Sequence, residues 1–324
     1  MLPSNSIMNL VKLYGYSWET VSRWIRFFGE KKTKEVIINN EVPVTPVIRV
    51  NSLKWFEKPD KLIEVLSEKG LDFINAQDIS SYTYFLKTST PFSLGATPEY
   101  LQGLYTLQGL RSQLPVISLA PTESDFTLDI CAAPGSKTTQ IAQLMQNEGR
   151  LIAIDRSKSR LLALYENLAR MGVENCISMA FDGRQISKLN LEFDKILLDA
   201  PCTGSGIINR DPTRKSSRVL KDIETLSKIQ QQLLSSAVKV LRSGGTIIYS
   251  TCSLEPEENE LIINHVLTKN QDIKIENLSL SHSGSPGLTK IGSTELDPSI
   301  KRCKRFFPSE GHEGFFICKI KKEM

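Results

Sequence analysis

The chain has 324 residues, 40% apolar and 23% charged, with a formal net charge of +4, the profile of a soluble globular protein with room for two domains at roughly 150 residues each. Its six cysteines include no CxxC pair, and His265, His282 and His312 are widely scattered, so a zinc ribbon, a thioredoxin-type centre and any other metal site are not expected. No run approaches the roughly 18 apolar residues of a membrane span. The opening MLPSNSIMNLVKLYGY lacks the sustained apolar stretch of a secretory leader, so a cytoplasmic, reducing setting is expected.

Residues 1–45 read as a helical segment. NSIMNLVKLYG and SWETVSRWIRFFGE place apolar residues three and four apart, and Ser17 suits an N-cap. After the proline-rich EVPVTPV, residues 46–120 read as a small α/β module. VIRVNSL is a strand, KPDKLIEVLSEKG a helix closed by Gly70, TYFLKTS a strand and TPEYLQGLYTLQGL a helical segment. From Phe126, in the region 121–324, strands and helices alternate. FTLDICAA, RLIAID, CISMAFD, FDKILLDAP and GTIIYSTCS are strands, separated by SKTTQIAQLMQ, SRLLALYENLARMG and a long helix from about Asp222 to Leu241. GFFICKIKK closes the chain as a strand. Such alternation predicts a parallel sheet covered on both faces.

Ligands of open α/β sheets sit beyond the carboxyl ends of the strands, and there the chemistry gathers. The first strand runs into CAAPGSK, the second ends in Asp155, the third in Asp182 and the fourth in Asp199. Small residues from Cys131 to Lys137 let backbone amides approach a ligand at a helix N-terminus. The segment is neither GxxxxGK[ST] nor GxGxxG, so it is not a phosphate loop of either kind. A single strand-end aspartate is more often a helix cap. Three in register behind a small-residue loop point to a nucleoside-bearing cofactor. Cys202 and Cys252 follow the fourth and fifth strands, which places both thiols in one cleft. From Ser205 to Lys221 five basic residues (Arg210, Arg214, Lys215, Arg218, Lys221) face one acid, Asp211, and KRCKR at 301–305 adds four more. These patches suit a polyanion, with a solvated loop as the even alternative. Tyr16, Trp18 and Trp24 fit core packing better than base stacking. Cys176 and Cys318 read as small buried hydrophobes. Cys303 lies among bases that favour a thiolate, with no role assigned.

FDKILLDAPCTG, CAAPGSK, STCSLEPEEN, VIRVNSLK and EGFFICKIKK together resemble, in order and spacing over about residues 45–322, the motifs of the Sun-type RNA cytosine-5 methyltransferases. The resemblance implies a Rossmann-like S-adenosyl-L-methionine-dependent methyltransferase fold, with a mostly parallel sheet of about seven strands, behind an RNA-recognition-like module. It implies Cys252 as the nucleophile at cytosine carbon 6, Cys202 as the group assisting breakdown of the adduct, and Asp199 as the partner of the base near N3 and the exocyclic amine. S-adenosyl-L-methionine would lie on Cys131, Ala132, Ala133, Pro134, Gly135, Ser136 and Lys137, with Asp155 at the ribose, Asp182 at the adenine end and Asp199 alongside. Lys137 would support Asp199 or the cofactor carboxylate. Arg210, Arg214, Lys215 and Arg218 would hold RNA phosphates around a flipped base. Three positions depart from the family pattern. Ser136 replaces a glycine, Gly109 stands where relatives commonly carry an acid, and His312 is displaced in FFPSEGHEGFF. With no appended RNA-binding domain expected, the layout resembles archaeal tRNA enzymes acting near the junction of variable loop and T stem. RNA is therefore the expected partner, tRNA ahead of ribosomal RNA. A DNA methyltransferase would use the Pro-Cys cysteine as nucleophile, against the TC-containing motif here. A catalytically idle RNA-binding factor would not need both cysteines, Asp199 and the loop.

Overall fold

The computed structural model describes residues 5–90, 92–217, 220–278 and 284–324. Two helices lead, α1 (Asn5–Tyr14) and α2 (Trp18–Asn39), the second capped as expected by the Ser17 hydroxyl, which accepts from the Thr20 N–H at 3.3 Å. Their apolar faces do not form a free-standing unit. Ile7, Val11, Val21, Trp24 and Ile37 bury against Ile208 and Leu254, which follow the loops of Cys202 and Cys252. Trp24 has no exposed surface and Trp18 is two-fifths exposed. The Trp24 indole N–H donates to Glu255 at 2.9 Å.

The next module runs β1 (Val47–Val50), α3 (Pro59–Ser67), β2 (Phe73–Asn75), β3 (Thr83–Leu86), α4 (Pro98–Leu101) and β4 (Tyr105–Leu107). Its antiparallel sheet has the order β2-β3-β1-β4, the βαββαβ arrangement of an RNA-recognition-like module. One expectation fails here. TPEYLQGLYTLQGL is not a single helical segment, because Gly103 ends a one-turn helix and Tyr105–Leu107 pairs with β1. Pro115 conceals a further helix, α5 (Leu110–Leu119), which contains it. Leu114, Val116 and Leu119 of α5 pack with Leu197, Ile248 and Ile317 of the following sheet. Leu110 at the start of α5 still packs with Val47 and Ala76, so α5 bridges the module read as residues 46–120 and the sheet that follows.

The second sheet is built from β5 (Phe126–Ile130), β6 (Arg150–Asp155), β7 (Cys176–Ala180), β8 (Phe193–Asp199) and β9 (Leu241–Thr251), all parallel, with α6 (Ser136–Leu144), α7 (Lys158–Met171), α8 (Arg214–Ser217) and α9 (Leu220–Lys239) between them. After β9 come α10 (Glu260–Lys269), β10 (Ile273–Glu276), β11 (Ser285–Pro286), the ribbon β12 (Lys290–Ile291) and β13 (Thr294–Glu295), then β14 (Lys304–Phe306) and β15 (Phe315–Lys322). The order is β11-β14-β15-β9-β8-β5-β6-β7, with β10 also on β15. Among the described residues the sheet thus has nine strands rather than the expected seven. The position beside β15 is shared by β10 at one end and β14 at the other, and the two-residue β11 extends β14.

Alternate residues of the parallel strands face opposite layers, as a period of two requires. Ile196, Leu198, Ile247 and Tyr249 meet Leu233, Leu234 and Ala237 of α9, while Leu197 and Ile248 meet α5 and α6. The chain leaves β5 in one direction for β6 and β7 and in the other for β8 and β9. The crevice at that switch, beyond the strand ends, is where such folds bind ligands.

Candidate active site

The turn after β5 is shaped for close approach. Cys131 adopts φ +65°, uncommon for a residue with a side chain and typical of functional sites. Gly135 has φ +106°, and a Cβ there would fall 2.7 Å from Leu164 Cδ1. The loop thus lies flush against α7 and delivers the first N–H groups of α6, which have no intrahelical partner, to the cleft. From the first module Arg49, buried to 3%, reaches over to donate to the Ser136 carbonyl at 3.3 Å and the Thr139 hydroxyl at 2.9 Å. Its burial lowers the guanidinium to about 9. Asn51 donates to the carbonyls of Gly103 and Met171, both at 2.8 Å. The polar residues of VIRVNSLK therefore stitch the two modules together. Ser136 opens α6. Below it, Asp129 accepts from the Thr138 hydroxyl at 2.6 Å, and burial pushes its carboxyl up to about 7.

Cys131, Asp155 and Asp182 line one cleft together with Phe181, Leu226 and Ile229. The Asp155 carboxylate accepts from the N–H groups of Ala133 (3.2 Å) and Ser157 (2.8 Å). It thereby locks the β5 turn to the end of β6. Arg160 stands 3.5 Å from it. Asp182 accepts from the Arg184 N–H at 3.0 Å and pairs with the Arg184 guanidinium at 2.6 Å, which holds its carboxyl below the usual range. Arg160, Phe181 and the α9 residues were not singled out from sequence. Phe181 alone carried a signal, as the residue before a strand-end aspartate.

Next to this cleft lie the thiols. Cys202 Sγ and Cys252 Sγ are 3.3 Å apart. The hydrogen bond to Cys252, then burial, pushes the Cys202 thiol well above the ordinary cysteine range. Asp199 Oδ2 accepts from Lys137 Nζ at 2.7 Å and Oδ1 from the Ser250 hydroxyl at 2.8 Å. Lys137 Nζ also donates to Ser112 Oγ at 3.0 Å and lies 5.6 Å from the Phe315 ring centre. Lys137 thus supports Asp199, as the resemblance allowed. Ser112 and Ser250 were missed, since neither has a recognisable spacing to its partner.

The two cysteine loops cross at Gly206, whose N–H donates to the Cys252 carbonyl at 2.9 Å and whose carbonyl accepts from the Gly314 N–H at 2.6 Å. A Cβ on Gly206 would come within 2.6 Å of the Gly314 oxygen and 2.8 Å of the Cys252 oxygen. Gly206→Ala is expected to force these backbones apart and to lower stability by about 2 kcal/mol, read as a drop in Tm. At Gly109 a Cβ would stand 2.6 Å from Glu313 Oε1. The buried Glu313 carboxylate therefore fills the space an acid at 109 would use.

The basic candidates are engaged. Arg210 pairs with Glu313 at 2.5 Å while remaining half exposed. Arg214 pairs with Asp211 at 2.9 Å, and Lys215 with Glu41 at 2.8 Å, both largely covered. Arg218, like His282, lies outside the described residues. His312 lies against Phe85 with ring centres 5.4 Å apart and planes tilted by 40°. The thiolate-favouring surroundings expected for Cys303 are absent. It is fully buried beside Cys318, and burial pushes its thiol well up. Cys318 is buried as expected, and Cys176 is half-buried. Among the described residues no group of three or more metal-ligating side chains occurs, and no helix is long and apolar enough to cross a membrane.

Residues 116–321 match the family described as 16S rRNA methyltransferase RsmB/F. The 28S rRNA (cytosine-C(5))-methyltransferase of Mus musculus is 38% identical over 321 residues, covering 97% of this chain and 40% of its own length. The tRNA (cytosine(72)-C(5))-methyltransferase of Pyrococcus horikoshii is 38% identical over 231 residues, covering 71% of this chain and 55% of its own. The chain thus spans about half the length of these curated relatives. A crystal structure of a methyltransferase homolog protein from Pyrococcus horikoshii superposes with a TM-score of 0.86 at 38% identity, covering 98% of this chain and 99% of that one.

Proposed function

The chain belongs to the 16S rRNA methyltransferase RsmB/F family, and from that premise we propose that it methylates carbon 5 of a cytosine in RNA, with tRNA as substrate. The methyl donor of the family is S-adenosyl-L-methionine. The residues present fit it. The flush loop at Gly135, the buried Asp155 and the apolar wall of Phe181, Leu226 and Ile229 make a cleft with a polar rim and an apolar wall, beside the thiols, that suits a nucleoside. Cys131 to Lys137 would hold the donor through backbone groups, Asp155 the ribose and Asp182 the adenine end. When bound, the donor supplies an electrophilic methyl group.

One observation carries the reading: two thiols 3.3 Å apart at the ends of neighbouring strands, next to an aspartate oriented by a lysine. Carbon 5 of cytosine is a weak nucleophile. Addition of the Cys252 thiolate at carbon 6 makes the ring enamine-like and able to attack an electrophile. Asp199, held on both oxygens, would face N3 and the exocyclic amine and favour the electron-poor ring. Once carbon 5 carries the methyl group, a base or water takes its proton, the C–H electron pair restores the carbon 5–carbon 6 double bond, and Cys252 leaves carbon 6 as a thiolate, with Cys202 assisting that release. The base must be unpaired or flipped, at a cost of a few kcal/mol, and Arg210, Arg214, Lys215 and Arg218 are the candidates to hold the surrounding phosphates. A cytoplasmic, reducing setting belongs to the proposal, since thiols this close must stay reduced.

The mouse relative and the family description favour a second reading, ribosomal RNA. Tritium release from RNA labelled at cytosine carbon 5 tests both. Release from tRNA supports the proposal, release only from ribosomal RNA moves the substrate, and release from neither overturns the reading. Asp155→Ala is expected to weaken donor binding about 10- to 100-fold, the worth of one to two charge-assisted hydrogen bonds, measured by calorimetry. Wild-type protein that binds RNA but no donor would be an idle scaffold instead.

A further inference from the structure

Behind the thiols lies a buried carboxylate that the chemistry above does not use. Glu258 has no exposed surface and ends the single turn Pro256–Glu258. Its Oε1 accepts from the Thr203 N–H at 2.9 Å and Gln230 Nε2 at 3.1 Å. Its Oε2 accepts from the hydroxyls of Thr203 and Ser253, both at 2.5 Å. An ionised carboxylate offers about four acceptor positions, and all are filled. The phenol of Tyr249 donates to the Glu258 carbonyl at 2.6 Å, so the residue's own backbone is fixed too.

The donors come from three elements. Thr203 follows Cys202 in sequence, and Ser253 follows Cys252. Gln230 belongs to α9, and its Nε2 also donates to the Pro201 carbonyl at 2.8 Å, on the other side of Cys202. One side chain therefore grips the neighbour of each thiol. Further ties join the two segments at Ala200 N–H to the Ser250 carbonyl (2.9 Å), at the Thr203 and Ser253 hydroxyls (3.4 Å), and beyond them at Ser205 and Gly206, but Glu258 is the group that engages the residue after each thiol with charge-assisted bonds. Burying a carboxylate is costly unless every acceptor is satisfied. A tie that served folding alone could be replaced by apolar packing. This one sits where spacing decides chemistry, since a misplacement of about 1 Å can cost roughly 100-fold in rate.

We propose that Glu258 is a positioning residue that sets the spacing of Cys202 and Cys252 and, through it, the release of the RNA adduct. The clause on release rests on the reading above; the spacing does not. Glu258→Gln keeps the shape and removes one acceptor and the charge. The thiol spacing is read without RNA, in the full chain, by equilibration with glutathione disulfide and glutathione. Two thiols lose two electrons and two protons as one glutathione disulfide becomes two glutathiones. The Cys202–Cys252 disulfide is counted by mass spectrometry after alkylation, with Cys202→Ser as the blank. Glu258→Gln is expected to lower the equilibrium constant at least tenfold, and Thr203→Val, which removes one tie without touching the carboxylate, about threefold. An unchanged or higher constant in either folded variant overturns the proposal. With RNA, Glu258→Gln is expected to slow adduct release at least tenfold while single-turnover methylation changes less. Equal slowing of both steps overturns the role in release. Failure of Cys202→Ala to accumulate adduct would sink the release chemistry, while the thiol equilibrium, measured without RNA, still decides whether Glu258 sets the spacing.

Discussion

Cys202→Ala is expected to leave the protein covalently joined to its RNA, whereas Cys252→Ala forms no adduct and loses turnover by at least about 10⁴-fold, the scale on which removing a catalytic nucleophile acts. Distance does not choose between the two sulfurs, since they touch at 3.3 Å. The sequence motifs do: Cys252 stands in STCSLEPEEN and Cys202 in DAPCTG, the arrangement that the resemblance to the family reads as nucleophile and assistant. Removing the Cys202 thiol leaves Cys252 able to attack and deprives the adduct of its assistant. Wild-type and variant proteins incubated with RNA and donor, then run under denaturing conditions, show the difference as a retarded band for Cys202→Ala alone. A band from Cys252→Ala, with none from Cys202→Ala, would reverse the roles.

The motif carrying these cysteines was legible because a parallel strand buried on both faces must be a continuous apolar run. FDKILLD and GTIIYST are such runs, and the first polar residue after each marks its carboxyl end. The strand-end aspartates were legible for the same reason. What stayed hidden lies in space and not along the chain. Ser112 reaches Lys137 from α5, a helix concealed by Pro115. Glu258 reads as one acid among three in LEPEEN, and only the fold separates it from Glu255 and Glu257, which Arg23 takes up. Charge was the weakest guide. Arg214 and Lys215 look like phosphate ligands in a basic run, yet each has an acid within 2.9 Å. Arg49 and Asn51 sit in a motif read as the opening of an RNA-binding module, and both are buried between modules. Composition records that such groups exist; pairing depends on contacts that sequence proximity does not reveal.

Asp199→Asn is expected to lower kcat about 10³-fold with KM for RNA changed less than about threefold, the pattern of an interaction made only in the transition state. The side chain is 30% exposed, so it keeps an open edge toward a base while Lys137 and Ser250 hold its two oxygens. An asparagine of the same shape offers a nitrogen that cannot accept from one of these donors. It also brings no charge to the ring. Lys137→Met tests whether the lysine acts through the aspartate. Breaking a mostly covered ion pair by removing one partner strands the other charge, so a loss of about 10²-fold in kcat is expected from this variant. If the two form one unit, the double variant is no slower than Asp199→Asn alone, because the lysine has nothing left to orient. Multiplying losses, at about 10⁵-fold, would instead show that Lys137 acts on the reaction by a route of its own. The Lys137 Nζ–Asp199 contact of 2.7 Å and the serine on the far side of each partner favour the single unit: a chain of four side chains from α5 to β9 whose open edge is the partly exposed carboxylate of Asp199.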